Sequence, residues 1–97
     1  MFTKEMRKLA ALLLEEGINF KINHMPKEWD GAQILIFDEE DVRNSDVICH
    51  RYSYGYKDGL LEYMGQGVPA DHDDEVVGWL TATKAFEMVM DGLGRKA

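Results

Sequence analysis

The apolar residues of this chain run at helical spacing near both ends and at a period of two through much of the middle, which divides it into helices flanking strands. From Lys4 to Glu16, Met6, Leu9 and Leu13, with Ala10 and Leu14 one step round, form an apolar stripe at helical spacing. Thr3 stands where a cap is needed, since its hydroxyl can accept an otherwise unpaired first-turn amide. Gly17 ends the helix, because glycine takes the left-handed conformation without a Cβ clash, and Ile18 then folds back on Leu13. Ile18, Phe20 and Ile22 alternate with Asn19, Lys21 and Asn23, a strand with one buried and one wet face. Pro26 and the pair Asp30-Gly31 predict a reversal. "AQILIFD" (32–38) is apolar on both parities from Ile34 to Phe37, which suits a central strand.

"DVICHRYSYGY" (46–56) reads as a third strand, with Val47, Cys49 and Arg51 on one face and Ile48, His50 and Tyr52 on the other. "YKDG" is a hairpin turn in which Gly59 supplies a positive φ, and "LLEYMG" returns as a fourth strand. The stretch 65–74 is irregular, and "EVVGWL" is a short fifth strand or an extended lead-in. Thr81 caps a last helix, in which Ala82, Ala85, Phe86, Val89, Met90 and Leu93 form a stripe ended by Gly92 and Gly94. Strands joined by short turns pair antiparallel, and two amphipathic helices must bury their apolar faces on the sheet. The expected fold is α+β: a two-layer sandwich with an antiparallel sheet of three to five strands and both the N-terminal and C-terminal helices on one face, in the order α-β-β-β-β-α. The other face presents Asn19, Lys21 and Asn23.

A chain of 97 residues is one domain, residues 1–97. Cys49 is the only cysteine, so no internal disulfide staples it. The apolar run after the N-terminal basic residues is short and ends at Glu15 and Glu16 without a small-residue cleavage site. No apolar stretch is long enough to span a bilayer, and the expected location is the cytoplasm. Net charge is −7, and nine of the eighteen carboxylates fall in 38–46 and 71–75. Affinity for nucleic acid comes from cationic side chains that displace counterions, so neither nucleic acid nor an anionic membrane is an expected partner.

The candidate chemistry is thin. A thiolate nucleophile needs a base within hydrogen-bonding reach, but adjacent strand residues such as Cys49 and His50 point to opposite faces. His24, His50 and the acidic run around His72 contain ligand types but no HxxxH or CxxC spacing, and 69–78 lacks the pattern of an EF-hand loop. "GQGVPA" has neither the lysine nor the helix start of a phosphate loop. No catalytic residue, metal site or cofactor is therefore assigned. What stands out is aromatic: Tyr52, Tyr54 and Tyr56, together with Trp29, form a candidate interaction surface, since rings with an apolar body and a polar tip are enriched at protein contacts. The competing reading of the tyrosines is cross-strand packing within the sheet.

The pattern "GINFKI…WDGAQILIFD…DVICHRYSYGYKDGLLEYMG…VVGWLTATKAFEMV" resembles small uncharacterised proteins of Gram-positive bacteria and their phages or prophages, from Gly17 to about Met90. The resemblance implies a cytoplasmic protein of prophage descent and transfers no catalytic residue. The leading functional expectation is a non-enzymatic interaction module that self-associates as a homo-oligomer or binds an unidentified protein. One alternative is an acidic decoy that engages a nucleic-acid-binding host protein. Another is a small metal-dependent or hydrolytic enzyme using His24, His50 or Cys49.

Overall fold

A computed structural model describes residues 2–66 and 76–95. It contains helix α1 (Lys4–Glu15), strands β1 (Asn19–His24), β2 (Ala32–Phe37), β3 (Arg43–Cys49), β4 (Leu61–Gly65) and β5 (Val76–Leu80), and helix α2 (Ala82–Gly92). Single 3-10 turns lie at Lys27–Trp29 and Tyr56–Asp58. The fold is α+β, as its sequence pattern requires. The strands form one open antiparallel sheet in the order β1-β2-β3-β4-β5. The acidic run 71–75, His72 and most of the 65–74 loop lie outside the described residues.

The helix boundaries follow from their caps. Thr3 Oγ1 accepts from the Met6 amide at 3.2 Å, and Thr81 Oγ1 accepts from the Lys84 amide at 3.3 Å. Gly17 takes φ +68°, which lets the Ile18 amide donate to the Leu13 carbonyl at 3.0 Å and brings those two buried residues together. α2 ends the same way: Gly94 takes φ +74° and the Arg95 amide donates to the Met90 carbonyl at 2.8 Å. Gly92, inside the last turn, is needed for room. A Cβ there would stand 2.6 Å from both the Gln66 carbonyl oxygen and the Tyr63 hydroxyl.

Both helices pack against each other and over one face of the sheet. Met6, Leu9 and Leu13 of α1 and Ala82, Ala85, Val89 and Met90 of α2 meet Ala32, Ile34 and Ile36 of β2, Val47 and Cys49 of β3, and Leu61 and Tyr63 of β4 in one buried cluster. Each such large aliphatic side chain stabilises the fold by roughly 1.5–3 kcal/mol on burial. The opposite face is mixed across β1 to β3, with polar side chains beside Leu35, Phe37 and Ile48. Asn23 Nδ2 donates to Gln33 Oε1 at 3.2 Å, Gln33 Nε2 donates to Asp46 Oδ2 at 2.8 Å, and Arg43 lies 3.3 Å from Asp46 Oδ1.

Three expectations from the apolar pattern are corrected. Leu14 is 73% exposed, because it sits beyond the stripe that meets α2. Ile22 is 41% exposed, because β1 is an outer strand of the sheet that the helical layer covers only in part, over Phe20. The expected strand over 46–56 ends at Cys49, and the chain from His50 to Leu60 forms turns instead. Tyr52, Tyr54 and Tyr56 therefore do not share one strand face with His50.

In a meander every connection changes ends. The helix N-termini, residues 25–31 and residues 50–60 gather at one end of the sheet, and the helix C-termini and residues 38–42 gather at the other. At the first end Glu5 Oε1 accepts from the Ala82 amide at 2.8 Å, joining the starts of the two helices.

Candidate interaction surface

The 50–60 segment is fastened to the end of the sheet at several points. Gly31 lies directly over the end of β3: a Cβ on it would sit 2.0 Å from the Cys49 carbonyl oxygen and 2.5 Å from His50 Cα. This approach lets the Arg51 amide donate to the Trp29 carbonyl at 2.6 Å. Ser53 turns the chain, because its Oγ accepts from the His50 amide at 3.0 Å and donates to the His50 carbonyl at 2.8 Å. The Tyr52 amide donates to His50 Nδ1 at 3.1 Å, and the Tyr54 amide donates to Glu62 Oε1 at 3.1 Å. On β5 the Trp79 amide donates to the Tyr54 carbonyl at 3.4 Å. Gly55 at φ +99° starts the 3-10 turn, and Gly59 at φ +70° closes it, as the "YKDG" pattern requires.

This framework sets four large rings outward. Trp29 packs edge-on against His50 at 4.9 Å between centroids and against Tyr52 at 5.3 Å. Tyr54 stacks on Trp79 at 5.2 Å with planes 26° apart. Their exposures are 40% for Trp29, 68% for Tyr52, 46% for Tyr54 and 60% for Trp79. Trp79 holds φ +54°, a region costly for a bulky side chain. It sits where the pairing of β4 with β5 shifts register between Leu61 and Tyr63. Asp30 and Asp41, the other non-glycine residues with positive φ among the described residues, are of a type that tolerates it.

Of the four residues read from sequence as a contact surface, Trp29 and Tyr52 touch each other, and Tyr54 stands in a second ring pair. Tyr56 plays another part. It is half-buried and packed on the core, and its hydroxyl donates to Asp30 Oδ2 at 2.5 Å. That bond holds the Asp30 carboxyl below its usual range and pushes the Tyr56 phenol up. Trp79 was not among the residues singled out. Its signal was "GW" inside a short strand, where Gly78 lets Tyr54 approach: a Cβ there would lie 2.3 Å from Tyr54 Cβ.

The candidate nucleophile and bases are scattered. Cys49 is buried in the helix-side core, and burial pushes its thiol up. His50 lies outside that core under Trp29. His24 is exposed on β1, two strands from Cys49, or roughly 10 Å at ordinary strand spacing. Among the described residues no group of three or more His, Cys, Asp or Glu side chains could hold a metal ion, and no helix is long and apolar enough to cross a membrane. At the far end of the sheet a cavity of about 600 Å³ is lined by Ile18, Phe37, Asp38, Glu39, Glu40 and Arg95, among others. Its Asp38 carboxylate is already used, accepting from the Glu40 and Val42 amides at 2.9 and 3.0 Å.

No protein-family model, curated protein or solved structure matches this chain.

Burial lowers the pKa of His50 below the ordinary histidine value. Its Nδ1 accepts from the Tyr52 amide, so the neutral form carries its proton on Nε2. Protonating Nδ1 would set donor against donor. The unfolded state therefore takes up the proton first. Stability from this group is complete above the unfolded pKa, near 6.5, and falls as pH drops through the lowered folded value. An NMR pH titration should show His50 protonating at lower pH than a histidine in an unstructured peptide, with the Tyr52 amide shift moving only as His50 protonates. In His50→Asn, whose Oδ1 can accept in place of Nδ1, that amide should lose the pH dependence and keep the bond.

Proposed function

We propose that this chain is a non-enzymatic protein-contact module whose working surface is the aromatic strip Trp29, Tyr52, Tyr54 and Trp79. The observation that carries the reading is the placement of Trp79, a 60% exposed ring held at φ +54°. Strained conformations of this kind persist where the surroundings enforce them, and they concentrate at working sites. Large rings held by a fixed backbone also lose little entropy when a partner covers them, which is why tryptophan and tyrosine dominate binding hot spots. Charged residues of both signs flank the strip, Lys27, Arg51 and Lys57 with Glu28, Asp30, Asp58 and Glu62, on a chain of net charge −7.

Peptide display against the immobilised protein tests this reading. Selected peptides should bind the strip and weaken by about 30-fold on Tyr52→Ala, the size of one hot-spot residue. The same substitution should change folding stability by no more than about 0.5 kcal/mol, as surface changes do. Peptides that bind equally well to Tyr52→Ala and to Trp79→Ala would reject the strip as the working surface.

A further inference from the structure

The two edges of the sheet are built differently. β5 is irregular: its pairing shifts register, Gly78 is pressed by Tyr54, and Trp79 is left-handed. A bulged edge of that kind resists pairing with another strand. β1 has none of these devices. Its six residues pair with β2 in unbroken register from Asn19↔Phe37 to His24↔Ala32. The strand contains no proline, and Lys21 is its only residue charged at pH 7.

The direction of its backbone groups can be read from one bond. The Met25 amide donates to the Gly31 carbonyl at 2.9 Å, so odd-numbered residues turn their backbone toward β2. By the alternation of antiparallel ladders, Phe20, Ile22 and His24 turn their N–H and C=O groups away from the sheet. Ile22 also has its side chain 41% exposed on the face that the helices cover elsewhere.

We propose that β1 pairs antiparallel with β1 of a second copy across a two-fold axis through Ile22, joining two sheets into one of ten strands. This surface is separate from the aromatic strip. The register is dictated by the strand itself. Centring on Ile22 sets Ile22 against its own copy, Phe20 against His24 and Lys21 against Asn23. All outward N–H and C=O groups of Phe20, Ile22 and His24 then find partners. The exposed Ile22 side chains cover each other, and both helical layers lie on the same side of the joint sheet. Centring on Lys21 instead would oppose two like charges, which destabilises a pair. Every other ionised group of the described residues lies off this strand. A chain of net charge −7 repels its own copies least along an edge whose one charge is a lysine facing asparagine. A closed two-fold interface of this kind uses the same patch twice.

Sedimentation equilibrium over 1–200 μM is the test, with hydrogen exchange beside it. The wild-type chain should rise from the monomer mass at the low end of the range toward twice the chain mass at the high end, and the amides of Phe20, Ile22 and His24 should exchange at least ten-fold more slowly at the high concentration than at the low. Ile22→Arg should sediment as a monomer with unchanged circular dichroism. Ile22→Pro removes an outward N–H that the ladder with β2 does not use, so it should do the same. Tyr52→Ala and Trp79→Ala should leave the dimer intact, which separates this surface from the strip. A wild-type monomer throughout the range, or a dimer that survives both Ile22 variants, would overturn the proposal. So would a dimer lost only in the strip variants.

Discussion

Replacing Gly31 by alanine is expected to lower folding stability by about 3 kcal/mol, near the top of the range for forced overpacking. For a domain of this size that is a fall in thermal midpoint of about 12–24 °C. The new Cβ would stand 2.0 Å from the Cys49 carbonyl oxygen and 2.5 Å from His50 Cα. Both atoms belong to backbone, so no rotamer change relieves the clash. Either the 25–31 turn lifts away, breaking the bond from the Arg51 amide to the Trp29 carbonyl, or the end of β3 moves and disturbs its pairing with β2 at Ala32↔Cys49. Urea unfolding of Gly31→Ala measures the loss. A change under about 0.5 kcal/mol, typical of surface positions, would mean that the turn does not press on β3 as described.

Gly78→Ala should act on the surface more than on the core. Its Cβ would meet Tyr54 Cβ at 2.3 Å and the Tyr54 carbonyl oxygen at 3.4 Å. A Cβ cannot rotate out of the way, so the 50–60 segment must separate from β5. The expected loss is about 2 kcal/mol, within the usual overpacking range. The sharper expectation is optical. The stack of Tyr54 on Trp79 at 5.2 Å should open, with a fall in near-ultraviolet circular dichroism while the far-ultraviolet spectrum of helices and sheet is kept. Peptides selected for the strip should bind this variant more weakly, although no ring has been removed. Intact near-ultraviolet signal in a folded Gly78→Ala protein would contradict the contact between the segment and the strand.

Much of the fold is legible in the sequence because its determinants are local. Thr3 and Gly17 bracket α1, Thr81 and the terminal glycines bracket α2, and a period of two marks β1. The route of 50–60 was not legible. Alternation through "CHRYSYGY" has the pattern of a strand, and nothing local stops it at Cys49. What stops it is distant in sequence: Gly31 pressing on the end of β3 and the Trp29 carbonyl taking the Arg51 amide. Ser53 was the one local hint, since a serine bonded to the backbone three residues back competes with the strand ladder. For the same reason the sequence shows Trp29, Tyr52 and Tyr54 as aromatic positions but not the ring pairs they form. Trp79 depends on a register shift between β4 and β5 that no single-strand pattern encodes. Ile22 looked like a core residue because alternation reports which face a side chain occupies and says nothing of how far the helical layer extends over it.

The rings are useful as a surface only if the segment that carries them is fixed in the free protein, and native-state hydrogen exchange at the amides of Arg51, Tyr54 and Trp79 measures this most directly. These amides donate to the Trp29 carbonyl, Glu62 Oε1 and the Tyr54 carbonyl. They should exchange at least about 100-fold more slowly than in an unstructured chain, a protection of some 2.7 kcal/mol against local opening. Exchange at the unstructured rate for all three, with β3 and β4 still protected, would show a loose loop in place of a built surface.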